Sequence, residues 1–139
     1  IDLLSARGFV GIPQKAIGPY NCDLGAFPVA VEIFGGQWHF SGKHLRRLPK
    51  RIRYIFDSDW HIVVVVADTR HPITAAAADY IVSFHQQMSR LPSVWREYRM
   101  IRGTEELLAF CSSQDDHLAL IPSFSRSRDS LGRYQAALN

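Results

Sequence analysis

Two neighbouring stretches carry the residues of strands: Tyr20 to Leu24 alternates apolar and polar residues, and Val29 to Phe34 is an apolar run, rich in β-branched residues, with one acid inside it. This pattern is typical of β-strands. The turn-forming residues Gly25 to Pro28 lie between the two stretches. The pattern therefore predicts a β-hairpin.

The predicted hairpin brings two carboxylates together. With a four-residue loop, Leu24 lies opposite Val29 and Asn21 lies opposite Glu32. Because side chains alternate, Asp23 then shares a face with Glu32, diagonal to it and within about 8 Å. Two carboxylates at this separation can share one divalent cation, a geometry that a register slip of one residue destroys.

The apolar pattern after the hairpin predicts helices on both faces of a sheet. From Ser41 onward an apolar stripe has helical spacing, Pro49 is expected to kink or begin this helix, and Asp57 to Asp59 end it. The continuous β-branched run Ile62 to Val66 is typical of a strand buried on both faces. A second amphipathic helix is predicted after Thr74. We therefore expect an α/β fold.

The remaining segments carry weaker patterns. They predict a helix end over Ile1 to Gly8, an end of the second helix near Leu91-Pro92, strands over Glu97 to Ile101, Glu106 to Cys111 and Leu118 to Ile121, and a terminal helix over Ser130 to Leu138. For the 106–111 segment a short helix is the alternative, because its residues are good helix formers. Phe9 to Ile17 has a short, mixed pattern that predicts no regular element.

Composition and charge narrow the class of protein. A chain of 139 residues with 47% hydrophobic residues is large and apolar enough for one domain with a real core. The formal charge is only +3, but the basic residues cluster: Lys43, Arg46, Arg47, Lys50, Arg51 and Arg53 follow one another without an acid between them. Such a cluster suits a phosphate backbone, and a solvated helix face explains it equally well.

Two features concern the cellular environment. Cys22 and Cys111 are the only cysteines and lie far apart, so we expect reduced thiols and a cytoplasmic protein rather than a disulfide framework. No apolar run has membrane-spanning length, and no signal peptide is evident. The chain begins at Ile1 in the pattern of a helix end, as a fragment of a longer protein would.

One part of the chain resembles a known family. Gln14 to Asn21, then Asp23, then Ala30 to Gly36 followed by Trp38-His39, resembles the very-short-patch repair endonuclease group, in particular its phage EDxHD homing endonucleases. The resemblance covers roughly Gly8 to Ala67. It implies a restriction-endonuclease-like fold, a mixed sheet flanked by helices, and a prokaryotic or phage enzyme that cuts double-stranded DNA with Mg²⁺.

The resemblance also implies roles for particular residues. Asp23 matches the metal-binding aspartate, Glu32 matches the acidic position on the next strand, and Ile33 would offer a main-chain carbonyl to the metal. His39 matches the general base, since Phe34 stands where many nucleases of this fold carry a lysine. The residues expected to contact DNA are Gln14, Trp38, Lys43, Arg46, Arg47, Lys50 and Arg51. A homodimer is left open.

Carboxylates, Mg²⁺ and a histidine suit phosphodiester hydrolysis chemically. Mg²⁺ prefers oxygen ligands, and a neutral histidine can take a proton from water. Each residue has a simpler explanation as well: Asp23 as a turn residue, Glu32 as a solvent-facing residue of an edge strand, His39 as a surface residue and Trp38 as core. The combination in family order favours the nuclease.

The chain departs from the family at two acidic positions. The homing enzymes carry a glutamate on an N-terminal helix, whereas only Asp2 precedes Asp23 here, and a family aspartate in the basic helix is replaced by Leu48 or Lys50. Asp59 also stands where the family has a glycine. The alternative is therefore a catalytically inactive DNA-binding module of the same fold, and a protein-interaction domain is a third hypothesis. We expect an endonuclease-like domain over residues 1–122 and a Ser/Arg-rich linker and tail over residues 123–139.

Overall fold

A computed structural model describes residues 2–35, 42–67, 72–90, 95–104, 106–114 and 121–122, with the backbone alone at 42–46 and 121–122. The elements in chain order are α1 (Asp2–Ser5), β1 (Ile12–Ile17), β2 (Tyr20–Ala26), β3 (Val29–Gly35), α2 (Gly42–Asp57), β4 (His61–Ala67), α3 (Ala75–Arg90), β5 (Glu97–Arg102), β6 (Leu107–Ser112) and β7 (Ile121–Pro122). No helix in these ranges is long and apolar enough to cross a membrane.

In the part of the chain that the structure describes, seven strands form one mixed sheet whose spatial order follows the chain. β1, β2 and β3 are antiparallel neighbours, β3, β4 and β5 run parallel, and β6 and β7 return antiparallel. Helix α2 connects β3 to β4, and α3 connects β4 to β5. The prediction of a mixed sheet flanked by helices is confirmed.

Two hydrophobic cores lie on the two faces of the sheet. Ile62 and Val64 of β4 pack in the same core as α2, whereas Val63 and Val65 pack in the core formed with α3 and α1. Each such side chain contributes about 1.5–3 kcal/mol when it is fully buried. Strand β4 is therefore buried on both faces, as its continuous β-branched run predicted.

Helix α2 continues through Pro49 as one element, so the proline neither begins nor ends it. At its C-terminus the Trp60 N–H donates to the Ile55 carbonyl and the Asp59 N–H donates to the Phe56 carbonyl. Asp59 has φ +71°, in the left-handed region. These bonds form a Schellman motif, in which the position held by Asp59 is normally glycine. The expected helix end is confirmed, and Asp59 lies at the helix cap.

The structure corrects two predictions near the N-terminus. Residues Ile12 to Ile17 form strand β1, where no regular element was expected, because an edge strand with mostly exposed side chains lacks the apolar signal of a buried strand. In the hairpin Leu24 pairs with Val31, not with Val29, because the loop comprises only the two residues Phe27 and Pro28. The predicted register was therefore wrong by two residues.

Other predicted elements are confirmed. Helix α1 ends before Gly8, α3 follows Thr74, and β5 and β6 form an antiparallel pair, so the second of these segments is a strand rather than a helix. The end of α3 near Leu91-Pro92, most of the 118–121 strand and the 123–139 tail lie outside the described residues.

Candidate functional site

Asp23 lies where the pairing between β2 and β3 ends. The pairing extends from Ala26–Val29 to Leu24–Val31, and beyond it the Asp23 carboxylate accepts the main-chain N–H of Ile33 through Oδ2, at 2.7 Å. A side chain thus occupies the place of a main-chain acceptor in the ladder. The two strands are held together at this point by a carboxylate.

The neighbouring strand is irregular at the same level. The ladder between β1 and β2 pairs Pro13 with Leu24 and Lys15 with Cys22, but it skips Gln14 and Asp23 between them. Gln14 has φ +49°, a left-handed conformation that costs a non-glycine residue about 1–2 kcal/mol. Strain of this kind persists only where surrounding structure enforces it, and it is concentrated at functional sites.

A cavity of about 360 Å³ lies beside Asp23 on the α3 face of the sheet. It is lined by Leu3, Leu4, Gln14, Asp23, Leu24, Val31, Ile33, Val65, Ile73, Ala78 and Ile81. Among the described residues that line it, Gln14 and Asp23 are the polar ones. Helix α1 contributes Leu3 and Leu4 to this wall.

Glu32 points to the other face, towards α2, and is only 6% exposed. Its Oε1 accepts a hydrogen bond from Nη2 of Arg51, and the Cys22 thiol donates to the same carboxylate. Burial raises the pKa of Glu32, while the Arg51 charge opposes that rise. Burial, reinforced by the charge of Glu32, raises the pKa of Cys22 to about 12, so this thiol is a packed and protonated hydrogen-bond donor.

Arg51 connects α2 to the hairpin. Besides Glu32, its Nη2 donates to the Asn21 carbonyl at 2.9 Å, and its guanidinium carbon lies 5.2 Å from the centroid of the Tyr20 ring. The side chain of Arg51 is 25% exposed and that of Glu32 is 7% exposed. Solvent therefore reaches the arginine more readily than the carboxylate it pairs with.

The structure changes the predicted relation between the two acids. The β2–β3 ladder ends at Leu24–Val31, and Asp23 instead accepts the main-chain N–H of Ile33. The two side chains diverge, since Asp23 borders the cavity on the α3 face and Glu32 contacts Arg51 of α2. The expected shared face is wrong. The negative charge of Asp23 still contributes to the raised pKa of Glu32, so the two carboxylates interact.

The other predicted site residues fall into two groups. Gln14, Arg47 and Lys50 are exposed, and Arg51 is the partner of Glu32 just described. Trp38 and His39 lie outside the described residues, as do the side chains of Lys43 and Arg46. Arg47 and Lys50 therefore place positive charge on the surface of α2.

Sequence reasoning missed three residues that surround the Arg51–Glu32 pair. Tyr20, Asn21 and Cys22 precede Asp23 directly, and each contacts either Arg51 or Glu32. Cys22 was correctly expected to be packed. The sequence signal for Cys22 was its position beside an acid. Asn21 gave no signal, because its main-chain carbonyl makes the contact and every residue has such a carbonyl.

The described residues include carboxylate oxygens of the kind that bind a hard cation, but these oxygens do not form a complete metal site. Asp23 and Glu32 offer carboxylate oxygens on adjacent strands, the ligand type that Mg²⁺ prefers. Within the described ranges, no three His, Cys, Asp or Glu side chains lie close enough together to hold a metal ion. The donor type therefore suits Mg²⁺, but the described side chains do not gather around one ion, because Asp23 borders the α3 face and Glu32 pairs with Arg51 on the α2 face.

Comparison with known proteins identifies no relative: the chain matches no protein-family model, no curated protein and no solved structure. The resemblance to the very-short-patch repair endonuclease group thus stays a prediction from the residues that carry it.

Proposed function

We propose that this chain is a Mg²⁺-dependent DNA endonuclease domain with a restriction-endonuclease-like fold. The observation that supports this function best is the oriented carboxylate of Asp23, which accepts the Ile33 N–H where the β2–β3 ladder ends and whose charge acts on Glu32. Beyond the last ladder pair, an acidic side chain accepts the main-chain N–H of the neighbouring strand.

The proposed chemistry uses few groups of the chain. Asp23 and the Ile33 carbonyl would hold the metal, which when bound would supply positive charge to the phosphate under attack. Glu32, expected from the sequence as a further ligand, lies on the α2 face and pairs with Arg51. His39, assigned from the sequence alone, takes the proton from the attacking water at an imidazole nitrogen. The Asp23 carboxylate is already oriented by the Ile33 N–H, so one of its oxygens is held in place before any ligand arrives.

The basic surface of α2 provides the sequence-independent part of DNA binding. Arg47 and Lys50 are exposed on this helix, and Lys43 and Arg46 precede them in the same helix. Such side chains contact phosphates and position the duplex without reading its bases. Gln14 and Trp38 are the candidates for contact with bases or sugars.

The test is plasmid nicking with Mg²⁺ and with EDTA, on wild type, His39→Ala and Asp23→Asn. His85→Ala is the matched histidine control, since His85 lies on α3 and contacts the Phe27 carbonyl, outside the proposed site. We expect nicking that requires Mg²⁺, persists in the control and is lost in the other two variants. Undiminished nicking by His39→Ala would show that the assigned base is wrong.

The alternative function is a DNA-binding module without catalysis. The contact between Glu32 and Arg51 favours it, because an ion pair that permanently occupies the second acid would leave the metal with a single carboxylate. This protein would bind duplex DNA in EDTA with an affinity that falls as salt rises, and it would not nick plasmid under any divalent cation.

A further inference from the structure

The cavity beside Asp23 has a buried apolar floor and an exposed apolar rim. The rim consists of Leu3, Ile33 and Ile73, each between 38% and 40% exposed. Exposed apolar side chains that gather around one opening, rather than being scattered singly, mark a surface that binds another molecule. The floor consists of side chains that are at most 7% exposed: Leu4, Leu24, Val31, Val65, Ala78 and Ile81.

The polar groups of the cavity come from two adjacent strands. Asp23 of β2 is half-buried and Gln14 of β1 is exposed, and both occupy the positions that the ladder between these strands skips. A largely apolar wall with a few polar groups is the usual composition of a small-molecule site. The volume of about 360 Å³ lies at the lower end of the range of about 300–1,000 Å³ for such sites.

The Asp23 carboxylate can accept further hydrogen bonds. Its Oδ2 accepts the Ile33 N–H, whereas an ionised carboxylate has about four acceptor positions. Within the described ranges, no Lys, Arg or His side chain forms an ion pair with Asp23. A negative charge beside apolar walls attracts a cation more strongly than the same charge in bulk water, because the local dielectric constant is lower.

We infer that this cavity binds a small organic cation, with an ammonium group against Asp23 and an apolar body on the buried floor. This inference goes beyond the proposed nuclease and does not rest on it. Because the proposed metal would also use Asp23, such a ligand and the metal would compete for this carboxylate.

The charge and shape of the cavity favour a cation over other classes of ligand. Asp23 repels an anion. A neutral apolar molecule that covered the carboxylate would displace water from it without replacing the lost hydrogen bonds. An ammonium group supplies three donors, which suit the carboxylate oxygens of Asp23 and the amide oxygen of Gln14.

The test is titration of the isotope-labelled protein by NMR in EDTA with three primary amines: 2-phenylethylamine, cyclohexylmethylamine and hexylamine. Each amine is compared with the alcohol and the carboxylic acid that carry the same apolar group. We expect an amine to shift the signals of the cavity residues and to bind about tenfold more tightly than its alcohol, because hydrogen bonds to a charged group are the stronger ones.

Asp23→Asn removes the charge but keeps an oxygen for the Ile33 N–H. Amine affinity should fall about tenfold in this variant, to the level of the alcohol, and alcohol affinity should stay unchanged. Asp57→Asn is the matched control, since Asp57 is an exposed aspartate at the end of α2 and does not line the cavity. This control should bind every ligand as wild type does.

Ala78→Leu adds bulk to the floor and should weaken the amine and the alcohol alike. Circular dichroism checks its folding. If this variant does not fold, the wild-type residues whose signals shift locate the site.

The outcomes separate this inference from the proposed function. Equal affinities for an amine and its alcohol overturn the inference, as does amine binding that Asp23→Asn leaves unchanged. Failure of all three amines to bind at up to about 30 mM also overturns it, since ligands of this size bind more tightly than that in a matching site. A protein that nicks DNA without binding an amine loses only this inference, and one that binds the amine without nicking loses only the nuclease.

Discussion

His61 should make the stability of this protein strongly dependent on pH. It is the first residue of β4 and is 1% exposed, with its ring edge-on to Phe84. Its Nδ1 accepts the N–H of Glu97 at 3.1 Å, which requires the neutral ring with its proton on Nε2. Burial, with the nearby charges of Arg96 and Arg99, lowers the pKa of His61 from 6.5 to about 4.

The direction and magnitude of the change in the free energy of unfolding follow from this pKa shift. Between pH 6.5 and pH 4 the unfolded chain takes up a proton that the folded protein refuses, so the free energy of unfolding falls as the pH falls through this window. Each pKa unit corresponds to about 1.4 kcal/mol, so the whole window is worth ~3 kcal/mol. That is a large part of the ~5–15 kcal/mol by which domains are stable.

Urea unfolding of wild type and His61→Asn from neutral pH to about pH 4.5 measures this effect. The asparagine keeps an acceptor near the position of Nδ1 and cannot titrate, so other groups cancel in the comparison. We expect wild type to lose ~2–3 kcal/mol more than the variant. Equal losses, or NMR signals of the His61 ring that titrate near pH 6.5, would refute the reasoning.

Three further changes should alter stability. Asp59→Gly should raise the free energy of unfolding by about 1 kcal/mol, because glycine adopts φ +71° without strain; thermal melting measures this. Asp23→Ala should lower it by about 1–3 kcal/mol in EDTA, since the Ile33 N–H loses its acceptor, whereas Asp23→Asn should cost less. Thr74→Val should cost about 0.5–1.5 kcal/mol in urea, because the Thr74 hydroxyl donates to the Gly103 carbonyl at 2.7 Å, and Thr74→Ser should be nearly neutral.

The elements with a buried face were predictable from the sequence. Helices α2 and α3 bury apolar side chains with the helical period, and strand β4 buries a continuous β-branched run on both faces, so the order of residues itself predicts each of these elements. The end of α2 at Asp57 to Asp59 was also predictable from the sequence. The acids Asp23 and Glu32 were also found this way, as polar residues inside apolar strands.

The tertiary structure decided what depends on contacts between distant segments. Strand β1 exists because β2 offers a partner, although its own side chains are mostly exposed. The loop length sets the hairpin register, and nothing in Gly25 to Pro28 distinguishes a two-residue loop from one of four. The pairing of Arg51 with Glu32, 19 positions apart, follows from α2 packing across β3. Composition shows a basic helix, but only the fold shows that one of its charges neutralises a buried carboxylate.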